Sequence, residues 1–316
     1  MKYVSCFGTG VIGCGWATNF LMAGLRPTLF DIDEGKLDTA KKQIELNLSF
    51  LLKEQVIAPE RYKACVNNVV YTTSPEVALK DAELVQENGP ENLEIKQKIA
   101  EAIETYARPD AIIASSTSGL LISDIAAKAK HPERFVGAHP YNPVHLIPLV
   151  ELTRGEKTDP NVLAAALAFY KSIKKEPVLL RKEALGFISN RIQMALYREA
   201  VDLVCRGVCS MDEIERAVCY GPGLRYGLMG PNTIFQLGGG AHGVSGLLRH
   251  VGATIPLWWK DMARWTDWPE GWIDGVQEKM DEALALREEA HGRTNEEVTA
   301  FRDTGLIMLL KYHGKL

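Results

Sequence analysis

The run Gly8-Thr9-Gly10-Val11-Ile12-Gly13 constrains this chain more than any other stretch. An apolar run, Tyr3 to Phe7, precedes it, and a helical pattern from Gly13 to Ala23, with a stop at Gly24, follows it. Between a strand and a helix, G-x-G-x-x-G is a dinucleotide-binding fingerprint. Gly8 permits the tight turn, Gly10 leaves the approach to a pyrophosphate free of a side chain, and Gly13 lets helix and strand come close. The unpaired N–H groups of Val11, Ile12 and Gly13, at the positive end of the helix, then face the phosphates.

Asp31 closes the second apolar run, Arg26 to Phe30, where an acidic residue takes the ribose hydroxyls. A carboxylate there repels a 2′-phosphate. Arg26, read as the only nearby cation, lies at the wrong end of its strand, so the expected cofactor is NAD. FAD shares the fingerprint, but no further flavin contacts are evident.

Short apolar runs alternate with helical patterns over the first ~150 residues, as in a parallel sheet covered by helices. The predicted helices are Asp33 to Lys53, Asn92 to Tyr106 and Ser123 to Lys130. Strands are predicted at Val69–Val70, 84–86, 111–114, Phe135 to Ala138, 148–152 and 177–180. From about Ala184 the pattern changes: Phe187 to Arg206 and Met211 to Tyr220 read as helices, with no strand alternation after them. The expectation is a doubly wound α/β domain at 1–183 followed by an all-α domain at 184–316.

A chain of 316 residues suits two cores. With 46% hydrophobic and 24% charged residues and a net charge of −4, it has no basic tract to favour nucleic acid. No apolar stretch approaches the ~20 residues of a membrane span. The N-terminus lacks an export pattern, and six cysteines are too sparse for a disulfide scaffold. The expected location is cytoplasmic, with Cys205 and Cys209 as buried structural thiols. Cys205 and Cys209 lack a third ligand at suitable spacing, so no metal is expected.

His139 comes off a strand in Ala138-His139-Pro140-Tyr141-Asn142-Pro143, and Glu151 lies on the next strand. In an open α/β sheet this end of the strands faces the ligand crevice. Oxidising an alcohol by hydride transfer needs a base for the hydroxyl proton, and a carboxylate that orients the ring favours its protonated form. His139 is therefore the expected base and Glu151 its partner. His145, deeper in the loop among apolar residues, is read as structural.

These stretches, with Ser115-Ser116-Thr117-Ser118, Pro148-Leu149-Val150-Glu151 and Gly186-Phe187-Ile188-Ser189-Asn190-Arg191, resemble the L-3-hydroxyacyl-CoA dehydrogenases along nearly the whole chain. The resemblance implies a Rossmann domain plus a helical domain that forms a homodimer. It also implies site roles: Ser118 and Asn190 hydrogen-bond the substrate, Asn142 positions the histidine loop, and Glu87 and Lys96 lie near the cofactor.

The departures point to a branch. Ser116 stands where the family has asparagine, and Pro140-Tyr141 replaces a Phe-Phe pair. Gly221-Pro222-Gly223-Leu224-Arg225-Tyr226 resembles the branch with L-gulonate 3-dehydrogenase (the lambda-crystallin relatives) and L-carnitine dehydrogenase. A free 3-hydroxy acid carries a carboxylate that must be paired, and Arg225 is a bidentate partner for it unless a structural acid claims it. Trp258, Trp259, Trp265, Trp268 and Trp272 suit either a quaternary-ammonium cage or helix packing. The expected reaction is oxidation of a short 3-hydroxy acid. A 3-hydroxyacyl-CoA substrate is the alternative, and a non-catalytic, crystallin-like NAD-binding protein is the alternative of another class.

Overall fold

The computed structural model describes all 316 residues. The chain separates into two compact units, Met1–Arg191 with Gly314–Leu316, and Ile192–His313.

In the first unit the chain order is β1 (Tyr3–Phe7), α1 (Val11–Met22), β2 (Arg26–Phe30), α2 (Glu34–Lys53), α3 (Pro59–Val66), β3 (Val70–Thr72), α4 (Pro75–Leu79), β4 (Leu84–Glu87), α5 (Leu93–Tyr106), β5 (Ile112–Ser115), α6 (Ile122–Ile125), β6 (Phe135–Pro140), β7 (Leu149–Arg154), α7 (Pro160–Ser172) and β8 (Glu176–Leu179). The eight strands form one sheet in the order β3-β2-β1-β4-β5-β6-β7-β8. Its strands pair in parallel except β6 with β7. Parallel neighbours need a long crossover, and the connection 141–148 is too short for one, so β7 returns antiparallel. That return sets His139 directly opposite Glu151.

Both faces of the sheet are covered, as a parallel sheet requires. One core joins Val4, Cys6 and Leu84 to Trp16, Phe20, Ile44 and Tyr170 from α1, α2 and α7. The other joins Phe7, Val85 and Ile113 to Leu79, Ile103 and Ile125 from α4, α5 and α6. Side-chain caps start four of the covering helices, α2, α4, α5 and α7. Asp33 caps α2 through Gly35 N at 2.7 Å, and Asn92 caps α5 through Ile95 N at 3.1 Å.

The second unit is helical. α8 (Ser189–Cys205) leads into it, and α9 (Met211–Tyr220), α10 (Pro222–Tyr226), α11 (Pro231–Gly238), α12 (Gly243–Val251), α13 (Ile255–Asp261), α14 (Trp272–Leu286) and α15 (Asn295–Tyr312) follow. Reciprocal capping boxes at Ser210/Glu213 and Thr294/Glu297 start α9 and α15.

Four sequence expectations need correction. The helix expected over Ser123 to Lys130 is only the single turn α6. Pro132 disfavours helix at His131. The Glu104 carboxylate also captures the N–H groups of Lys130 and His131 at 2.8 Å each, turning the chain towards β6. β6 runs on through Pro140, so His139 is a strand residue. Cys205 is exposed and Cys209 half-buried, so neither is the buried thiol expected; the buried free cysteines are Cys6, Cys14 and Cys65. Arg26 is not the only cation near Asp31, because Lys36 on α2 reaches within 3.7 Å of it.

Candidate active site

The glycine turn has the geometry its spacing implies. Gly8 adopts φ +103°, and a Cβ there would lie 2.8 Å from Asn88 O. Only glycine takes that backbone conformation without strain. A Cβ on Gly13 would fall 2.0 Å from Gly8 O, so any side chain forces strand and helix apart. A Cβ on Gly10 would meet nothing within 4 Å, which leaves the entry to the N-terminus of α1 clear. Asp31 is buried; its Oδ2 accepts from Thr9 N (3.1 Å) and Thr9 Oγ1 (2.8 Å), and its Oδ1 from Ile32 N (2.9 Å).

A cavity of about 830 Å³ runs from this turn between α2 and α5, lined among others by Gly10, Val11, Asp31, Ile32, Pro90 and Ile99. An open phosphate cradle, a fixed carboxylate and an apolar slot fit a dinucleotide. Replacing Gly13 with alanine is expected to raise the Kd for NADH at least ~100-fold, since the added methyl cannot fit without moving the phosphate turn. A fluorescence titration measures it, and binding within threefold of the parent would overturn this role for Gly13.

Glu87 and Lys96 form a closed cluster at the end of β4. Lys96 Nζ donates to both Glu87 oxygens (3.1 and 3.0 Å) and to Gly89 O (3.1 Å), and Glu87 also accepts from Ser115 Oγ (2.5 Å) and Gly89 N (2.6 Å). Both side chains are buried. The acid that sequence reasoning missed is Glu91, 3.7 Å from Lys96. Its Oε1 accepts from Thr117 Oγ1 (2.7 Å), Ser118 N (2.9 Å), Ser118 Oγ (3.2 Å) and Gly119 N (3.1 Å). Partial burial raises its pKa, but these donors and Lys96 outweigh that and hold the carboxyl below its ordinary range. The signal in the sequence was slight: an acid just before the Asn92 cap, in a loop with no periodicity.

His139 and Glu151 meet across the antiparallel pair, Nδ1 to Oε2 at 2.8 Å, with both side chains buried. Burial works to raise the Glu151 carboxyl, and hydrogen bonds from His139, Ser189 and Ile188 outweigh it, holding the group at about 2. An ionised carboxylate only accepts, so His139 carries its proton on Nδ1 and Nε2 has the free lone pair when the ring is neutral. The ring packs against Phe187 (centroids 5.6 Å) and edge-on to Tyr141 (6.1 Å).

A strained turn supplies the other donors to Glu151. Gly186 (φ +70°) and Phe187 (φ +48°) both lie in the left-handed region. That conformation costs a non-glycine residue on the order of 1 kcal/mol. The turn brings Ile188 N and Ser189 N to Glu151 Oε1 (2.9 Å each) and Ser189 Oγ to Oε2 (2.6 Å). One residue on, Asn190 Nδ2 donates to Ser118 O at 2.9 Å. Ser118 and Asn190 therefore meet through a backbone carbonyl, with the Ser118 hydroxyl on Glu91. Asn142 is exposed and its amide makes no hydrogen bond within the protein.

Arg225 lies on α10 in the second unit, exposed, with no carboxylate in ion-pair reach. Of the five clustered tryptophans, only Trp265 and Trp268 are in ring contact with each other (5.9 Å), and Tyr197 meets Trp268 at 6.0 Å. Trp265 Nε1 donates to Asp202 at 3.2 Å and Trp272 is buried, while Trp258 and Trp259 are exposed.

Comparison with known proteins bears on this arrangement. Residues 3–184 match the family model of the 3-hydroxyacyl-CoA dehydrogenase NAD binding domain, and residues 186–276 match that of the C-terminal domain. The chain is 36% identical to an L-carnitine dehydrogenase of Oceanobacillus iheyensis, over 98% of this chain and 97% of that one. It is 38% identical to a 3-hydroxyacyl-CoA dehydrogenase of Gibberella moniliformis, over 90% and 88%. Among solved structures, a 5-formyl-3-hydroxy-2-methylpyridine 4-carboxylic acid 5-dehydrogenase, described as an NAD+-dependent dismutase, superposes with a TM-score of 0.81. That enzyme is 28% identical, with 99% of this chain and 97% of that one covered.

Proposed function

This chain belongs to the 3-hydroxyacyl-CoA dehydrogenase family, and from that premise we propose that it oxidises a short free 3-hydroxy acid, carnitine- or gulonate-like, with His139 as general base. That it is an NAD-dependent oxidoreductase acting on the 3-hydroxy group of a small substrate follows from the family and its relatives. The observation that carries the role of the base is the 2.8 Å contact between His139 and an ionised Glu151.

In this reading His139 Nε2 takes the proton of the substrate hydroxyl, and Glu151 stabilises the imidazolium through Nδ1–H. NAD, when bound in the dinucleotide site, would supply the hydride acceptor for the carbinol carbon. Ser118 and Asn190 hold the substrate oxygen, which requires the Ser118 hydroxyl to leave Glu91. Asn142, exposed just past the histidine strand, is proposed as a further substrate contact. Gly8, Gly10, Val11, Ile12, Gly13 and Asp31 hold the dinucleotide, with Glu87 and Lys96 bracing the loop beside it.

Arg225 favours a free acid over a thioester. A guanidinium without an acidic partner is an open bidentate site for carboxylate, and a thioester offers it no charge. Several L-carnitine dehydrogenases are 34–36% identical over nearly the whole chain, which supports the same substrate class. L-Carnitine, L-gulonate and acetoacetyl-CoA, assayed in parallel by NADH absorbance, separate the readings. Activity confined to acetoacetyl-CoA would replace the free acid by a thioester, and inactivity on all three would sink both. Arg225→Met is expected to raise KM for the free acid at least ~10-fold, the usual worth of a charge-assisted hydrogen bond, with kcat within a few-fold. An unchanged KM would remove Arg225 from the site.

We further place the protein in the cytoplasm as a homodimer through its helical unit. Six free cysteines suit a reducing compartment. No helix is long and apolar enough to cross a membrane. The helical unit exposes large apolar side chains, among them Leu237, Trp258, Trp259 and Met308, as an interface would.

A further inference from the structure

Lys175, in the turn before β8, is 3% exposed. Its ammonium donates to the carbonyl oxygens of Val144 and, at 2.9 Å, Ile147, and lies 5.1 Å from the centroid of the Trp16 ring. The elements against it are α1 through Trp16, the 143–147 turn, and α7, where Tyr170 O accepts from the Lys175 backbone. None brings a carboxylate into ion-pair reach. An unpaired buried charge is costly, and burial alone pushes this ammonium down to about 7. Its two carbonyl partners belong to the connection between the strand of His139 and the strand of Glu151.

That connection also presses on the dinucleotide helix. A Cβ on Gly15 of α1 would lie 2.8 Å from Val144 Cβ, so backbone and Val144 are in direct contact there. Leu146 N and Ile147 N both bond Pro143 O (3.0 and 2.9 Å), a tight turn that aims the free carbonyls at Lys175. Trp16, under the ammonium, is tied by its Nε1 to Ser116 Oγ at 3.1 Å, and Ser116 donates to Asn88 beside Gly8. We propose that Lys175 is a positioning residue for the reaction: its ammonium pins the β6–β7 connection onto α1 and so holds His139 in register with the dinucleotide helix. Asn142, which the family resemblance casts in this part, has no grip on the protein; Lys175 has two carbonyls.

The inference rests on His139 acting as base, so its test has arms that need no substrate. In the full-length protein, Lys175→Met keeps an unbranched chain one atom shorter without charge or donors, and Lys175→Arg keeps the charge and donors. The downfield proton resonance of His139 Nδ1–H, assigned by its loss in His139→Ala, is expected to shift or vanish in Lys175→Met and to persist in Lys175→Arg. The Kd for NADH, by fluorescence titration, is expected to stay within threefold in both. On whichever substrate the parent turns over, kcat falls at least tenfold in Lys175→Met with KM little changed, and Lys175→Arg recovers most of it. An unchanged resonance in Lys175→Met, or equal impairment of the Met and Arg variants, overturns the proposal. Should Lys175→Met not fold, Lys175→Gln, with N–H donors but no charge, gives the same two readings. A parent inactive on every substrate tried removes the functional reading and leaves the resonance to decide this one.

Discussion

Replacing His139 with alanine is expected to lower kcat at least ~100-fold while NADH still binds. A positioned general base contributes about 10² to 10⁴ in rate, and the loss should approach the upper end here, because neither ring packed against His139 can take over. Its ring neighbours, Tyr141 and Phe187, are not bases at neutral pH; burial, and then the charge of Glu151, keep the Tyr141 hydroxyl above its ordinary range. The phosphate turn, Asp31 and the cavity between α2 and α5 contain no His139 atom, so the Kd for NADH should stay within about threefold. Steady-state turnover with a parallel NADH titration measures both. Near-normal turnover in the variant would end the assignment of His139 as base.

The sheet and its dinucleotide turn were legible because their signals are local. Strand, glycines, helix and Asp31 follow one another within about thirty residues, and the structure puts Gly13 against Gly8 and Asp31 on Thr9 as the spacing requires. His139 and Glu151 were legible as a pair because a short connection can only fold them back on one another. What stayed hidden is set by tertiary partners. Lys175 sits in Lys174-Lys175-Glu176, a run that reads as solvated surface, and only the folded chain shows one of the three buried beneath a turn. Glu91 is a loop acid whose four donors come from residues about 26 positions away. The 123–130 segment is rich in alanine and lysine, yet its helix stops after one turn, and the N–H groups of Lys130 and His131 go to Glu104 on α5 instead. Local propensity describes an element until a distant side chain offers its backbone a better partner.

Glu151→Gln should be the most damaging of the conservative changes, in stability as well as turnover. Four donors converge on the Glu151 oxygens: His139 Nδ1–H and Ser189 Oγ–H on Oε2, and the N–H groups of Ile188 and Ser189 on Oε1. A glutamine keeps one acceptor oxygen and turns the other into a donor, so two of those donors must face N–H₂ in a buried site. If the amide nitrogen faces His139, the ring must give up its proton on Nδ1 and carry it on Nε2, which abolishes the base. If it faces Ile188 and Ser189, the strained Gly186–Phe187 turn loses what holds it. A wrong tautomer of this kind costs up to about 10⁴ in kcat, and each buried donor left unpaired about 1–3 kcal/mol. The stability loss should depend on pH in a defined direction. The Glu151 pKa falls from 4.5 to about 2 on folding, so its stabilisation is present above the unfolded value and is lost as pH drops from about 4.5 towards 2. On the order of 3 kcal/mol is at stake. Urea unfolding of parent and variant at pH 7, 4 and 3 should therefore show a gap that is widest at pH 7 and narrows on acidification. A gap independent of pH would mean that Glu151 owes nothing to its charge, and the ionised acceptor on which the base assignment depends would have to be given up.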